Sequence, residues 1–277
     1  MIDLSIVGAL VGKEMRDARR NRWLALYTLV FAGLSFALAW LALATMGAAG
    51  PAGFGRTAAS LINLVLLIVP LMGLTLGALS LAGERERGSL LYLLAQPITH
   101  LELLMGKYLG VGLSLLGALA LGFGASGLVI AWRGIAASAV AYLSLVALAS
   151  LLALSALSLG MLLSVVARRS ATAIALALFL WLMLVFGGDL GLMGSALALP
   201  IDIQTLFALA LLNPLQVFKM AAILAIRGSL EVLGPAGLYA LRAYGDRLGA
   251  LFLVILLAWT ILPLASTYLV FRHRGAL

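Results

Sequence analysis

Long apolar runs separated by short polar clusters dominate this chain of 277 residues. Six runs approach or exceed the roughly 20 residues a helix needs to cross a bilayer. They are Trp23–Met46, Thr57–Ala82, Tyr108–Ala131, Ser138–Ala167, Ala171–Gly187 and Leu248–Phe271. None of them holds Asp, Glu, Lys, Arg or His, and Leu, Ala and Val prevail. The pattern predicts an all-α membrane protein with six transmembrane helices, because barrel strands would be shorter and would alternate. Pro70 lies inside the second run and predicts a kink there.

Three segments between the runs carry pattern of their own. In residues 1–22, Ile6, Val7, Leu10, Val11 and Met15 recur at helical spacing. Lys13, Glu14, Arg16, Asp17, Arg19 and Arg20 fill the other positions. This predicts an amphipathic interfacial helix, with Trp23 anchoring the first span. In residues 83–107, dense charge gives way to Leu90, Leu91, Leu93 and Leu94, and Pro97 then breaks the helix. Thr99 with Glu102 three residues on has the spacing of a capping box, so a short helix, a break and a second helix are expected. Residues 188–247 are apolar but interrupted by Pro200, Asn213-Pro214, Gly228 and Gly234-Pro235. Pro214 is placed to start a helix ending near Gly228, too short to span, so this segment predicts short interfacial or re-entrant helices before the last span. Glycines four apart, Gly8–Gly12, Gly73–Gly77 and Gly106–Gly110, could let helices approach closely, though 30 glycines make chance pairs common.

Composition agrees with the pattern. Hydrophobic residues make up 64% of the chain and charged ones only 10%, too few to cover a water-facing surface. The mean hydropathy is +1.18. The net charge of +8 sits in clusters between apolar runs, which marks topology rather than a nucleic-acid-binding face. With the N-terminus inside, twelve of the 18 Lys and Arg fall on the inner side and six on the outer. The chain is therefore expected to be multi-pass in a bacterial inner membrane, with both termini cytoplasmic. The first apolar stretch precedes its basic cluster, so no cleaved signal peptide is expected.

Candidate chemistry is sparse. The chain has no cysteine and two histidines, which leaves no disulfide framework, thiolate site or multi-imidazole site. No phosphate-cradling G-x-x-x-x-G-K-[ST] loop, H-E-x-x-H or G-x-S-x-G is present. Asp189 follows Gly187-Gly188 at a span end, but no second carboxylate lies in a span to complete an aspartyl dyad. Spans without ionisable groups speak against ion-coupled transport. Met46, Met193 and Met220 sit toward the outer side and could suit Cu(I), although scattered methionine is ordinary packing material.

The run Gly83, Glu84, Arg85, Glu86, Arg87, Gly88, Ser89, Leu90, then Leu93, Leu94, Pro97, Ile98, Thr99 and Gly106-Lys107, resembles the loop of type-2 ABC exporter permeases. Lys13-Glu14, Asp17 and Arg20-Asn21-Arg22-Trp23 are similar to that family's N-terminal amphipathic helix. Within the family, the nearest likeness is to permeases that support copper-site assembly in nitrous oxide reductase. It rests on chain length, on those motifs, and on Leu212-Asn213-Pro214 with Lys219-Met220 after it.

The resemblance implies one permease domain over residues 1–277, paired with a second copy and docked to a cytoplasmic ABC ATPase that holds ATP and Mg. It implies no catalytic residue, metal or cofactor in this chain. Glu84, Arg85, Glu86, Arg87 and Gly88 would meet the ATPase, with Leu90, Leu91 and Leu94 filling its groove. Asn213, Pro214, Lys219 and Met220 would face a periplasmic copper-handling partner. Two alternatives stay open: export of a lipid or other amphipathic small molecule by a permease of the same type, and an ATPase-independent transporter or scaffold.

Overall fold

Three helix starts in the first hundred residues are set by polar side chains. Asp3 caps the first helix, its Oδ1 accepting from the Ser5 amide at 2.8 Å. The Asn21 side chain accepts from the Trp23 amide at 2.9 Å and so starts the second. Thr99 and Glu102 form the reciprocal box, with the Thr99 amide donating to Glu102 at 2.8 Å and the Glu102 amide donating to Thr99 Oγ1 at 3.2 Å.

In this computed structural model the described residues are 3–44, 52–132, 139–198, 202–227, 230 and 235–274. They form α1 (Leu4–Arg19), α2 (Arg22–Ala44), α3 (Ala52–Glu86), α4 (Ser89–Leu94), α5 (His100–Trp132), α6 (Ala139–Val166), α7 (Ser170–Ala198), α8 (Ile203–Leu211), α9 (Pro214–Arg227), α10 (Pro235–Tyr244) and α11 (Leu248–Arg274). There is no strand among them. Six helices are long and apolar enough to cross a membrane. α3 and α6 form the centre, with 72% and 61% of their most apolar windows buried, against 17% for α2 and 11% for α7.

Glycine makes that centre. A Cβ on Gly160 would stand 2.4 Å from the Leu74 carbonyl oxygen, and one on Gly77 would stand 2.5 Å from that of Leu157. α3 and α6 therefore touch backbone to backbone. Ser164 Oγ accepts from the amides of Leu81 at 3.0 Å and Ala82 at 2.8 Å, tying the same pair near its end. Ser155 joins α6 to Thr260 of α11 at 2.8 Å. The Trp181 indole of α7 donates to the Leu67 carbonyl at 3.0 Å, three residues before Pro70. On the other side, Phe31 of α2 lies where a side chain on Gly122 would be, and its ring meets Phe123 edge-on at 5.2 Å.

The six runs are all spans, but their helices extend further than the apolar pattern does. α3 continues through Glu84, Arg85 and Glu86, and α5 begins at His100 and so carries Glu102 and Lys107. The expectation of chargeless spans thus holds for the apolar cores and fails where helix and hydrophobic run do not coincide, mostly at this end, with Arg56 of α3 and Asp189 of α7 toward the other. α1 also departs from its expected face. Val7, Leu10 and Glu14 are buried, while Met15 is exposed. The cause is docking on α5: a Cβ on Gly106 would stand 2.5 Å from Leu10 Cβ, and one on Gly110 would stand 2.5 Å from Glu14 Cβ. Of the three glycine pairs, Gly73–Gly77 and Gly106–Gly110 are close-approach sites, and Gly8–Gly12 faces open space.

The segment before the last span is more helical than its prolines and glycines indicate. α7 runs on to Ala198, and α8 and α9 follow with a bend of 105° between them, the shape of a broken span or a re-entrant loop. α9 starts at Pro214 as expected and buries Leu215, Val217, Phe218, Met220, Ala221 and Ala222 against the bundle.

Candidate functional site

The end of the bundle that holds α1 also holds the turn after α3, the start of α5 and the close of α11. His100 packs edge-on against Phe271 at 5.2 Å, joining the start of α5 to the close of α11. This end gathers most of the charged side chains singled out above, and two features organise it.

The first is a buried ion quartet joining α1, α3 and α5. Lys107 Nζ lies 2.8 Å from Glu14 Oε1 and 2.8 Å from Glu84 Oε1. Lys13 Nζ lies 2.8 Å from the same Glu84 oxygen, 3.1 Å from Glu14 and 3.4 Å from Asp17. The Lys107 side chain is only 1% exposed and that of Glu84 6%. A lone buried charge at this depth would be strongly disfavoured, and the four are tolerated because they sum to zero at hydrogen-bonding distance. Burial pulls the Lys13 ammonium toward neutrality. Its hydrogen bond to Glu84 and the fields of Glu14 and Glu84 outweigh that and hold its pKa above the ordinary lysine value. Glu102 adds a second tie, accepting the Asp3 amide at 2.7 Å while it completes the box with Thr99.

The second feature is α4, a helix of six residues that follows Gly88. Gly88 has φ +73°, a left-handed conformation that favours glycine, and it reverses the chain between α3 and α4. Leu90 is buried at 1% and pins α4 to the bundle, while Leu91 and Tyr92 are 63% and 72% exposed.

The residues expected at the surface therefore divide. Glu84 points inward to Lys13 and Lys107. Arg85 donates to the Ala167 carbonyl at 2.7 Å. Glu86 is exposed and accepts from Ser170. Arg87 is exposed and makes no ion pair among the described residues. Leu94 closes α4, and its side chain lies outside the description. The quartet itself was not legible as a unit. Glu14 and Lys13 read as the solvated face of an amphipathic helix, and Lys107 as a boundary charge. The available signal was Gly106 and Gly110, which open α5 beside Lys107 for a docked helix.

At the opposite end, Asn213 donates to the Leu184 carbonyl at 2.7 Å and fixes α9 to α7. Its Oδ1 accepts from the Leu215 amide at 2.9 Å, the turn that starts α9. Pro214 and Met220 are buried, and Lys219 is half-buried. Met46 lies outside the described residues, and Asp189 and Met193 belong to α7 with side chains outside the description. No cluster of three metal-ligating side chains occurs among the described residues.

Comparison with known proteins identifies the family. The sequence profile described as "ABC-2 family transporter protein" matches residues 9–276. A protein of Stutzerimonas stutzeri, described as "Probable ABC transporter permease protein NosY", is 32% identical over 268 residues, 95% of this chain and 96% of that one. A Pseudomonas aeruginosa protein with the same description is 41% identical over 127 residues, 46% of each chain. The chain belongs to the ABC-2 family of transporter proteins, as a multi-pass membrane permease subunit of an ABC transporter whose ATPase is a separate subunit.

Proposed function

We propose that the α1 end is cytoplasmic, that an ABC ATPase docks on α4, and that the ion quartet passes its movement into the spans. The observation that carries this reading is the division of labour around α4. Leu90 and Glu84 tie the segment to the bundle, whereas Leu91 and Tyr92 face outward, 63% and 72% exposed. A short helix with an apolar outer face suits insertion into a groove on a soluble partner. Because Glu84 on α3 shares cations with Glu14 on α1 and meets Lys107 on α5, a push on α4 reaches three helices at once.

The wider reading is that two copies work with two ATPases on a periplasmic copper-handling protein during nitrous oxide reductase maturation. It is supported by the likeness to the two NosY proteins. The bent α8–α9 pair, of which α9 packs on the central helices at the far end, would carry the movement outward.

The test is Leu91→Asp with Tyr92→Ser in the full complex. Both side chains are mostly exposed, so insertion and thermal stability are expected to match the wild type. The ATPase should no longer co-purify with the permease, and maturation of the copper enzyme should fail. Full retention of the ATPase would refute docking on α4. Retained ATPase-dependent function without any copper-handling partner would point to export of an amphipathic molecule instead.

A further inference from the structure

We infer that the cleft between the α1–α2 junction and α3 is a binding site for an anionic phospholipid. The cleft has a volume of about 800 Å³. Its lining is divided between a cationic rim and an apolar wall. Arg20, Arg22 and Arg87 stand on the rim, and Leu24, Leu76 and Leu79 form part of the wall.

The charge balance of the rim favours an anion. The lining holds five cations, Lys13, Lys107, Arg20, Arg22 and Arg87, against four carboxylates: Glu14 and Glu84 are balanced in the quartet, Asp17 lies 3.4 Å from Lys13, and Glu86 accepts from Ser170. The three arginines are exposed and have no carboxylate within 4.0 Å among the described residues. A planar guanidinium with its full set of donors free is the natural partner of a phosphate oxygen pair.

The apolar wall and the location select a lipid over a soluble anion. Arg22 is the first residue of the first span, so the rim lies where that helix enters the bilayer. Trp23 beside it is 56% exposed, an aromatic at headgroup level. A free phosphate would use the rim and leave the leucines wet. A phospholipid uses both, with its phosphate on the arginines and its acyl chain against Leu24, Leu76 and Leu79. Basic pockets between spans are the common setting for anionic headgroups.

The test is lipid retention by the full chain after purification from membranes holding phosphatidylethanolamine and phosphatidylglycerol, read by mass spectrometry of the extracted lipid. The wild type is expected to retain phosphatidylglycerol preferentially. Arg20→Gln, Arg22→Gln and Arg87→Gln should each weaken that retention about fivefold, and the triple variant should abolish the preference. Arg242→Gln, an exposed arginine on α10, should leave it unchanged. Elution as the wild-type species shows that the variants are folded, and single variants decide the matter if the triple one is not. Equal retention by wild type and folded variants would overturn the proposal. So would displacement of the lipid by millimolar inorganic phosphate, which would mark a plain anion site. Loss of the ATPase from the triple variant with lipid retained would assign the rim to that protein and overturn it as well.

Discussion

Replacing Lys107 with Met removes one charge from the quartet and keeps most of the side-chain volume. In the wild type, Lys107 bridges Glu14 and Glu84 at 2.8 Å each, with 1% of its side chain exposed. The variant leaves the two carboxylates sharing Lys13 alone, so the quartet goes from neutral to a net negative charge. Glu84 Oε2 already lacks a hydrogen-bond partner among the described residues. Breaking one partner out of a buried ion pair costs about 3–5 kcal/mol, whereas an exposed pair costs about 0–1 kcal/mol. The burial of Lys107 places it in the first class. At 1.4 kcal/mol per factor of ten, the population with α1 detached rises about a thousandfold. Trypsin in detergent reads this directly, because Arg16, Arg19 and Arg20 become cleavable once α1 leaves α5. Lys107→Met should be nicked there much faster, and Lys107→Met with Glu84→Gln, which restores neutrality, should recover most of the protection. Wild-type protection in the single variant, or no recovery in the double one, would refute the argument that charge balance holds α1 down.

Four further outcomes follow from the packing. Gly160→Val should abolish recovery of folded protein, since its Cβ would meet the Leu74 carbonyl at 2.4 Å, while Gly117→Ala, with open space around it, should be recovered normally on size exclusion. Gly106→Leu should expose α1 to trypsin and leave the span core intact by hydrogen exchange, because the atoms nearest its Cβ belong to Leu10 of α1. Ser164→Ala removes the acceptor of two α3 amides and should lower stability by about 1 kcal/mol in a detergent unfolding titration, the scale of an interhelical hydrogen bond in a membrane. Glu102→Ala deletes both the box with Thr99 and the tie to Asp3, and should cost about 1–2 kcal/mol with faster exchange at the starts of α1 and α5.

The spans were legible because burial in lipid needs only apolar length, and that is written in composition. The start of α5 was legible because Thr99 and Glu102 encode it locally. Pro214 marked the start of α9 for the same reason. Interhelical geometry was not legible. Lys13 and Glu14 read as solvated because their partners lie about 70 and 93 residues away in Glu84 and Lys107. Pro200 and Gly228 suggested a broken segment, yet α9 is mostly buried, with Val217 and Phe218 at 0% exposure, because it packs against α6, α11 and α3. Glycine spacing was ambiguous in the same way: Gly8–Gly12 and Gly73–Gly77 look alike, and only the second has a neighbour to admit.

The central pair constrains how movement can travel through the molecule. α3 carries Glu84 and leads into α4 at one end, and it packs on α9 toward the other. It cannot slide along α6, because the backbones interlock at Gly77 and Gly160, with Ser164 holding the ends in register. On the function proposed above, a bundle so joined would tilt as a unit. A displacement of α4 should therefore reach α9 with little loss, while α2 and α7 pack at the margin of the bundle with most of their apolar windows exposed. Spin labels on Leu91 and on Leu212, both exposed, offer the check: nucleotide added to the full complex should change the mobility of both labels together in the wild type. Response at Leu91 alone would mean that α3 does not transmit, and the spine would then be only a scaffold.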